Sequence, residues 1–254
     1  MAESFGADAE RYDRARPRYP QAMVDRIVAT SPGRDVLDVG CGTGIAARQF
    51  QAAGCTVLGV DVDARMAEFA RRRGLDVEVA AFEAWDPAGR EFDAVVSGQT
   101  WHWVDPAAGA AKAAQALRPG GRLAVFWNAA EPPPELAESF VEIYLPVLPD
   151  SPAARRPTMS AVDGYSVMGD MAADGIRGTS AFGEPEQWRF DWEQTYTRDE
   201  WLDHVPTTGL HTRLPPAQLQ EVLTGTGAAV DAFGGSFTMR YTALVVTALR
   251  VGAS

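Results

Sequence analysis

Short apolar runs at Val36–Val39, Val57–Val60, Val77–Ala80 and Phe92–Ser97 alternate along the first half of the chain with segments whose apolar positions recur at helical spacing. Runs of this length read as strands buried on both faces, and the amphipathic segments between them, Ile45–Ala53, Ala64–Arg73 and Pro106–Ala116, read as helices. A further helix, Pro20–Ala29, precedes the first strand. Arg118-Pro119-Gly120-Gly121 marks a tight turn, and Arg122–Trp127 is a fifth strand. Alternation at this spacing predicts a doubly wound parallel sheet, because each parallel crossover needs a covering helix.

The pattern changes after Asn128. Glu131-Pro132-Pro133-Pro134 breaks the alternation, a helix follows at Pro134–Leu148, and a polar stretch with Met159, Tyr165, Met168 and Met171 runs to Phe182. It is too long for an ordinary connection. Residues of about 131–180 are therefore expected to form a small helical cap over the ligand end of the sheet. Strands return at Gln187–Thr195, where Trp188, Phe190 and Trp192 alternate with polar residues, and at Phe237–Thr247. Arg198–His204 and Pro216–Ala229 are helical between them. No repeat interrupts the chain, so a single domain over 1–254 is expected.

Charge and composition narrow the partners. Lys plus Arg number 23 against 34 Asp plus Glu, a net charge of −11. Arg71-Arg72-Arg73 is the exposed end of a helix rather than a phosphate-tracking run, so nucleic acid and anionic membrane surfaces are not expected partners. A cationic ligand meets no such penalty. Cys41 and Cys55 form neither a disulfide framework nor a CxxC pair, and His102, His204 and His211 show no metal-ligand spacing, so no metal is expected. The first residues lack the features of a leader, and no run approaches the ~20 apolar residues of a membrane span. A soluble, cytoplasmic protein is expected.

The chemistry concentrates where the first strand ends. Val36-Leu37-Asp38-Val39-Gly40-Cys41-Gly42-Thr43-Gly44 opens an apolar strand into three glycines at every second position, and Asp61 closes the next strand. Glycines admit close approach of the backbone to a ligand, and an acid at that second strand tip accepts hydrogen bonds from a ribose. A dinucleotide loop of the form G-x-G-x-x-G is broken here by Ile45. With Asp38 before the glycines, the segment resembles motif I of the class I S-adenosylmethionine (SAM) dependent methyltransferases. Ser97-Gly98-Gln99-Thr100-Trp101-His102-Trp103-Val104 is similar to the "HW" segment of a small-molecule subgroup that includes trans-aconitate methyltransferase. The lead Phe5…Tyr12-Asp13-Arg14-Ala15-Arg16-Pro17-Arg18-Tyr19-Pro20 resembles the segment that folds over the cofactor in that subgroup.

The resemblance implies a Rossmann-like seven-stranded sheet, mostly parallel with an antiparallel last strand. It implies SAM as cofactor, S-adenosylhomocysteine as product, and a small-molecule acceptor. Gly40 and Gly42 would face the methionine part, Asp38 would contact its amino group or hold the loop, Asp61 would take the ribose, and Cys41 and Val62 belong to the same cofactor set. Met66 flanks the adenine or belongs to the core. Phe82 and Glu83 stand where relatives place an adenine-binding acid, which aligns here with Ala81. Tyr12, Arg16 and Gln99 complete the cofactor set. Tyr19, Trp101, Trp103, Trp127 and His204 are the acceptor-side candidates. His102 is a candidate general base, or else shapes its loop through a backbone hydrogen bond. A carboxylate acceptor would call for an arginine, Arg16 or Arg177. The expected activity is methyl transfer to oxygen or nitrogen by a monomer or homodimer. A SAM-binding protein without transfer and a nicotinamide oxidoreductase are the alternatives.

Overall fold

The computed structural model describes residues 6–155 and 158–252; Phe5 of the lead segment lies outside them. Seven strands form one sheet: β1 (Asp35–Val39), β2 (Thr56–Asp61), β3 (Asp76–Val79), β4 (Phe92–Gly98), β5 (Leu117–Glu131), β6 (Glu186–Thr197) and β7 (Ser236–Leu249). Their order is β3-β2-β1-β4-β5-β7-β6. The pairs from β3 through β5 are parallel, whereas β7 runs antiparallel to both β5 and β6. This is the Rossmann-like sheet with an antiparallel last strand. The chain crosses from one half of the sheet to the other between β1 and β4, and a crevice opens there at the carboxyl ends.

Successive side chains of β1 go to opposite faces. Val36 joins a core with Met23 and Ile27 of α2 (Gln21–Ala29), Phe50 of α3 (Ile45–Ala52) and Ala67 of α4 (Ala64–Arg72). Leu37 and Val39 join the opposite core, with Ala110 and Ala113 of α5 (Pro106–Ala116) and Ala172, Ala173 and Ile176 of α7 (Ala161–Arg177). The predicted turn at Arg118–Gly121 lies within β5, where the pairing with β4 slips between Phe92 and Ala94 and Gly120 takes a φ of +79°.

Residues 131–180 are not one cap. Helix α7 covers the sheet face, its buried residues Gly169, Ala172, Ala173 and Ile176 recurring at helical spacing along the side that meets β5 and β7. Gly175 packs against Pro106 so closely that a Cβ would lie 2.5 Å from its carbonyl oxygen. Helix α6 (Pro134–Val147) instead packs on α9 (Pro216–Ala232) beyond the carboxyl ends, where Tyr144, Val147 and Val222 share a separate apolar cluster with Val205. Helix α8 (Arg198–His204) joins that layer, and α1 (Ala9–Ala15) packs against it. None of the described helices is long and apolar enough to cross a membrane.

A buried cation ties β5 to β7. Arg122, 4% exposed, donates to Thr247 Oγ1 at 2.9 Å and to the Thr30 carbonyl at 3.2 Å, with its guanidinium 5.1 Å from the Trp188 ring. Thr247 in turn donates to the Leu123 carbonyl at 2.7 Å. Thr247→Val keeps the shape and removes both bonds, so urea unfolding should show a loss of about 2 kcal/mol with the slope unchanged. A loss below about 0.5 kcal/mol would mean that Arg122 finds another partner.

Candidate functional site

At the end of β1 the backbone turns sharply under two hydrogen bonds. The N–H groups of Gly40 and Cys41 donate to the Val60 carbonyl at 2.7 and 3.2 Å. Gly40 and Gly42 hold φ values of +66° and +55°, which favour glycine. A Cβ on Gly40 would run into the Thr100 side chain, whereas one on Gly42 would project into open space. That space is the crevice the loop borders. Gly44, at φ +85°, then leads into α3.

Two carboxylates flank this loop, with different partners. Asp61, at the tip of β2, accepts from Gly42 N–H at 2.7 Å on one oxygen and from Asp63 N–H at 2.8 Å on the other. Burial raises its pKa, and those two N–H groups oppose the rise. The capping of α4 falls to Asp63, which accepts from Arg65 N–H at 2.9 Å, pairs with the Arg65 guanidinium and receives Gly6 N–H at 3.1 Å. Asp38 is 1% exposed, and its Oδ2 has no hydrogen-bond partner. Burial first, and then the field of Asp61, push its pKa up to about 8. An orphaned, buried acid oxygen beside a second acid suits a cationic group.

The crevice holds a cavity of about 620 Å³ that runs from the glycine loop to Tyr241 of β7. Its first part is bordered by Gly40, Gly42, Asp61, Val62, Met66 and the segment Ala80–Glu83. Phe82 is 3% exposed and packs against Trp85 and Trp101, while Glu83 accepts from Asp105 N–H at 3.0 Å. Asp38, Cys41 and Tyr19 border a cleft of about 50 Å³ beneath the loop rather than the main cavity. Gln99, at φ +55°, borders both.

The lead segment folds over this space and is fastened at several points. Gln49 exchanges hydrogen bonds with the backbone of Tyr19 at 3.0 and 2.7 Å, and Asn128 donates to the Arg18 carbonyl at 2.9 Å. Arg14 and Arg11 reach Asp203 of α8 at 2.8 and 3.2 Å, and Arg48 reaches Asp13 at 2.5 Å. Tyr12 and Arg16 thereby border the cavity. Burial works to lower the pKa of Arg16, but the tyrosines around it, Tyr12, Tyr19, Tyr165 and Tyr241, outweigh burial and hold it above its ordinary value.

Four acceptor-side expectations need correction, beginning with Tyr19, which borders only the small cleft. Trp101 and Trp127 are 2% and 1% exposed and lie in the core rather than on the cavity wall. The reason is strand and turn phase: both side chains face the α5/α7 layer. Trp127 acts on the cavity indirectly, donating its indole N–H to His102 Nδ1 at 3.2 Å. His102, Trp103 and His204 do border the cavity. Arg177 does not; it pairs with Glu184 and Asp174. Trp201 and Tyr241 border the cavity without having been singled out in the sequence, and Tyr165, named there only as part of the expected cap, borders it too. They come from three distant segments, and no local motif announces them.

With this geometry in place, comparison with known families gives a direct match. Residues 37–125 match a methyltransferase domain. An uncharacterized methyltransferase of Mycobacterium tuberculosis is 37% identical over 131 residues, 50% of this chain and 53% of that one. A malonyl-[acyl-carrier protein] O-methyltransferase of Enterobacter lignolyticus is 36% identical over 146 residues, 53% of this chain and 58% of that one. The chain thus spans little more than half the length of these curated relatives. A solved structure from Anaeromyxobacter dehalogenans, provisionally described as a type II methyltransferase, superposes with a TM-score of 0.66 over 94% of this chain and 99% of that one. At 22% identity it speaks to the fold. The methyltransferase domain match contains the glycine loop, Asp38, Asp61 and His102; Arg16, Tyr165, Trp201 and Tyr241 lie outside it.

Proposed function

We propose that the protein is a SAM-dependent methyltransferase acting on an oxygen or nitrogen of a small molecule. The observation that carries this reading is the pairing of an open Gly40–Gly42 loop with two buried acids, one of which, Asp38, has an orphaned oxygen. A donor that bears a positive charge and a diol fits that pairing better than a pyrophosphate does, because two acids beside the loop would repel phosphate. The match of residues 37–125 to a methyltransferase domain and the relatives above support it.

The bound donor would supply a methyl group already activated by a sulfonium charge. What the chain contributes is placement and exclusion of water, effects worth on the order of several kcal/mol when reacting atoms are held in line. Asp61 would accept from the ribose hydroxyls, each of its oxygens keeping a lone pair beyond its backbone bond. Asp38 would take the cationic amino group. Met66 and Phe82 offer apolar surface for a purine. Trp103 and the lead segment, with Tyr12 and Arg16, would shield the reacting atoms from solvent. The acceptor would lie beyond Gln99, between His102, Tyr165 and Tyr241. The resemblance to the trans-aconitate methyltransferase subgroup favours a small acceptor over a macromolecular one.

The test is release of S-adenosylhomocysteine from SAM across carboxylic acids, phenols and nitrogen heterocycles. Turnover on one of these classes is expected. SAM binding with no turnover on any of them would favour a binder that does no transfer.

A further inference from the structure

We propose that the acceptor enters this cavity already as an oxygen anion, a carboxylate or an acidic phenol, because His102 meets it with a fixed N–H donor and no base is available among the described residues that border it. This rests on the methyl-transfer reading and specifies the ionisation state of its acceptor.

The indole N–H of Trp127 can only donate, and it donates to His102 Nδ1 at 3.2 Å. A neutral imidazole has one N–H and one lone pair, so with Nδ1 accepting, the proton resides on Nε2. Protonating Nδ1 would set two N–H groups against each other. Partial burial also lowers the pKa of this ring, and no carboxylate among the described residues is recorded against it to counter that. His102 thus faces the cavity as a neutral donor. It is not the general base its sequence position suggested.

The other histidines do not replace it. His204 borders the cavity, and its Nδ1 lies 3.1 Å from the Ala15 carbonyl, which can only accept. Its Nε2 therefore keeps a lone pair. Burial first, and then the charge of Arg16, hold its pKa down to about 3, too low to take a proton near neutral pH. His211 is occupied on both nitrogens, by Tyr144 Oη at 2.7 Å and Thr208 Oγ1 at 2.6 Å. The acids that border the cavity, Asp61 and Glu83, lie at its other end and are already bonded to backbone N–H groups.

Burial also pushes up the pKa of Tyr241, whose hydroxyl pairs with that of Tyr196 at 2.8 Å. The acceptor end is consequently rich in donors and in the positive charge of Arg16. An alcohol or ammonium acceptor would have nowhere to leave its proton there. An oxygen anion needs no such help. Its lone pair forms the O–CH3 bond as the S–CH3 bond breaks onto sulfur, and the anionic and sulfonium charges cancel with no proton left over.

The deciding experiment is nitrogen-15 NMR of the full chain labelled at its three histidines, the His102 ring being assigned as the signal lost in His102→Gln. The expected result is a His102 proton on Nε2 and a titration midpoint below the ordinary imidazole value. In Trp127→Phe the ring should begin to titrate closer to the ordinary imidazole range. A proton on Nδ1, or a ring titrating near its ordinary value with Trp127 in place, overturns the inference. Should Trp127→Phe fold poorly, the wild-type spectrum decides alone.

A second arm uses benzoate, 4-nitrophenol, benzyl alcohol and benzylamine as acceptors and separates carboxylate from phenolate. Methyl transfer confined to the alcohol or the amine overturns the inference. On an acid, His102→Gln, whose amide N–H stands in for Nε2–H, should keep kcat/KM within about threefold, whereas His102→Ala should lose about tenfold, mostly in KM. Equal losses in both variants, with a new limb in the pH profile, would identify a base instead. Failure of S-adenosylhomocysteine to bind would sink the methyl-transfer reading and leave the spectrum unchanged.

Discussion

Asp61→Ala is expected to weaken S-adenosylhomocysteine binding by about 100-fold or more, with little change in overall folding. The side chain does two jobs at once. Its oxygens fix the glycine loop through Gly42 N–H at 2.7 Å and the start of α4 through Asp63 N–H at 2.8 Å, and they end at the cavity. Losing hydrogen bonds to a charged acceptor costs about 1.5–3 kcal/mol each, and two such bonds to the ribose account for the expected factor. Asp61→Asn, which keeps one acceptor oxygen, should fall between wild type and Ala. Isothermal titration gives the numbers and circular dichroism checks the fold. Affinity for S-adenosylhomocysteine that survives Asp61→Ala would mean that the ligand binds elsewhere.

Asp38→Asn should produce opposite effects on stability and on binding. The folded-state pKa of Asp38, raised to about 8, lies above the value the residue would have in an unfolded chain. A group with a raised acid pKa binds its proton more tightly when folded. Its contribution is therefore fully present below the unfolded value, near pH 4, and is lost as the pH rises toward 8. The ligand-free wild type should lose thermal stability over that window. Asp38→Asn should remove that part of the loss, so the two proteins melt alike near pH 5 while the variant melts higher, by on the order of 5 °C, near pH 9. The same variant should bind S-adenosylhomocysteine at least about tenfold more weakly, because it gives up the charge opposite the ligand's amino group. In the wild type, affinity should fall as the pH drops below about 8. A variant that melts like wild type at both pH values would show that Asp38 is already ionised in the empty site.

Much of this architecture was legible because it rests on strong local signals. The apolar runs of β1, β2 and β4 are buried on both faces and must be continuous, and the φ > 0 positions of the loop call for glycine, so strand, loop and acid can be read in order. Helix α7 was missed for a physical reason. It carries Gly164, Gly169 and Gly175, which weaken helix propensity and read as loop, even though its buried face of Gly169, Ala172, Ala173 and Ile176 recurs at helical spacing. The cap expected over 131–180 was the consequence: one part became a sheet-covering helix and the other joined α9.

The acceptor end was legible only in part. Arg16 and His102 lie beside recognisable segments, whereas Tyr165, Trp201 and Tyr241 meet only after the sheet has folded. Trp127 shows the limit in the other direction. Its position after an apolar strand suggested a pocket wall, but strand phase turns it into the core, where its indole reaches the cavity through His102. The direction of one hydrogen bond, which no sequence pattern records, carries our proposal that His102 acts as a donor rather than a base.

The most direct measurement of the central claim is equilibrium binding of S-adenosylhomocysteine and NADH, side by side, to the full chain at neutral pH. Saturable one-to-one binding of S-adenosylhomocysteine that is lost in Asp61→Ala, with no binding of NADH, is the predicted result. Binding of NADH in its place, sensitive to the same substitution, would contradict it, since a pyrophosphate would then occupy the loop that two buried acids flank.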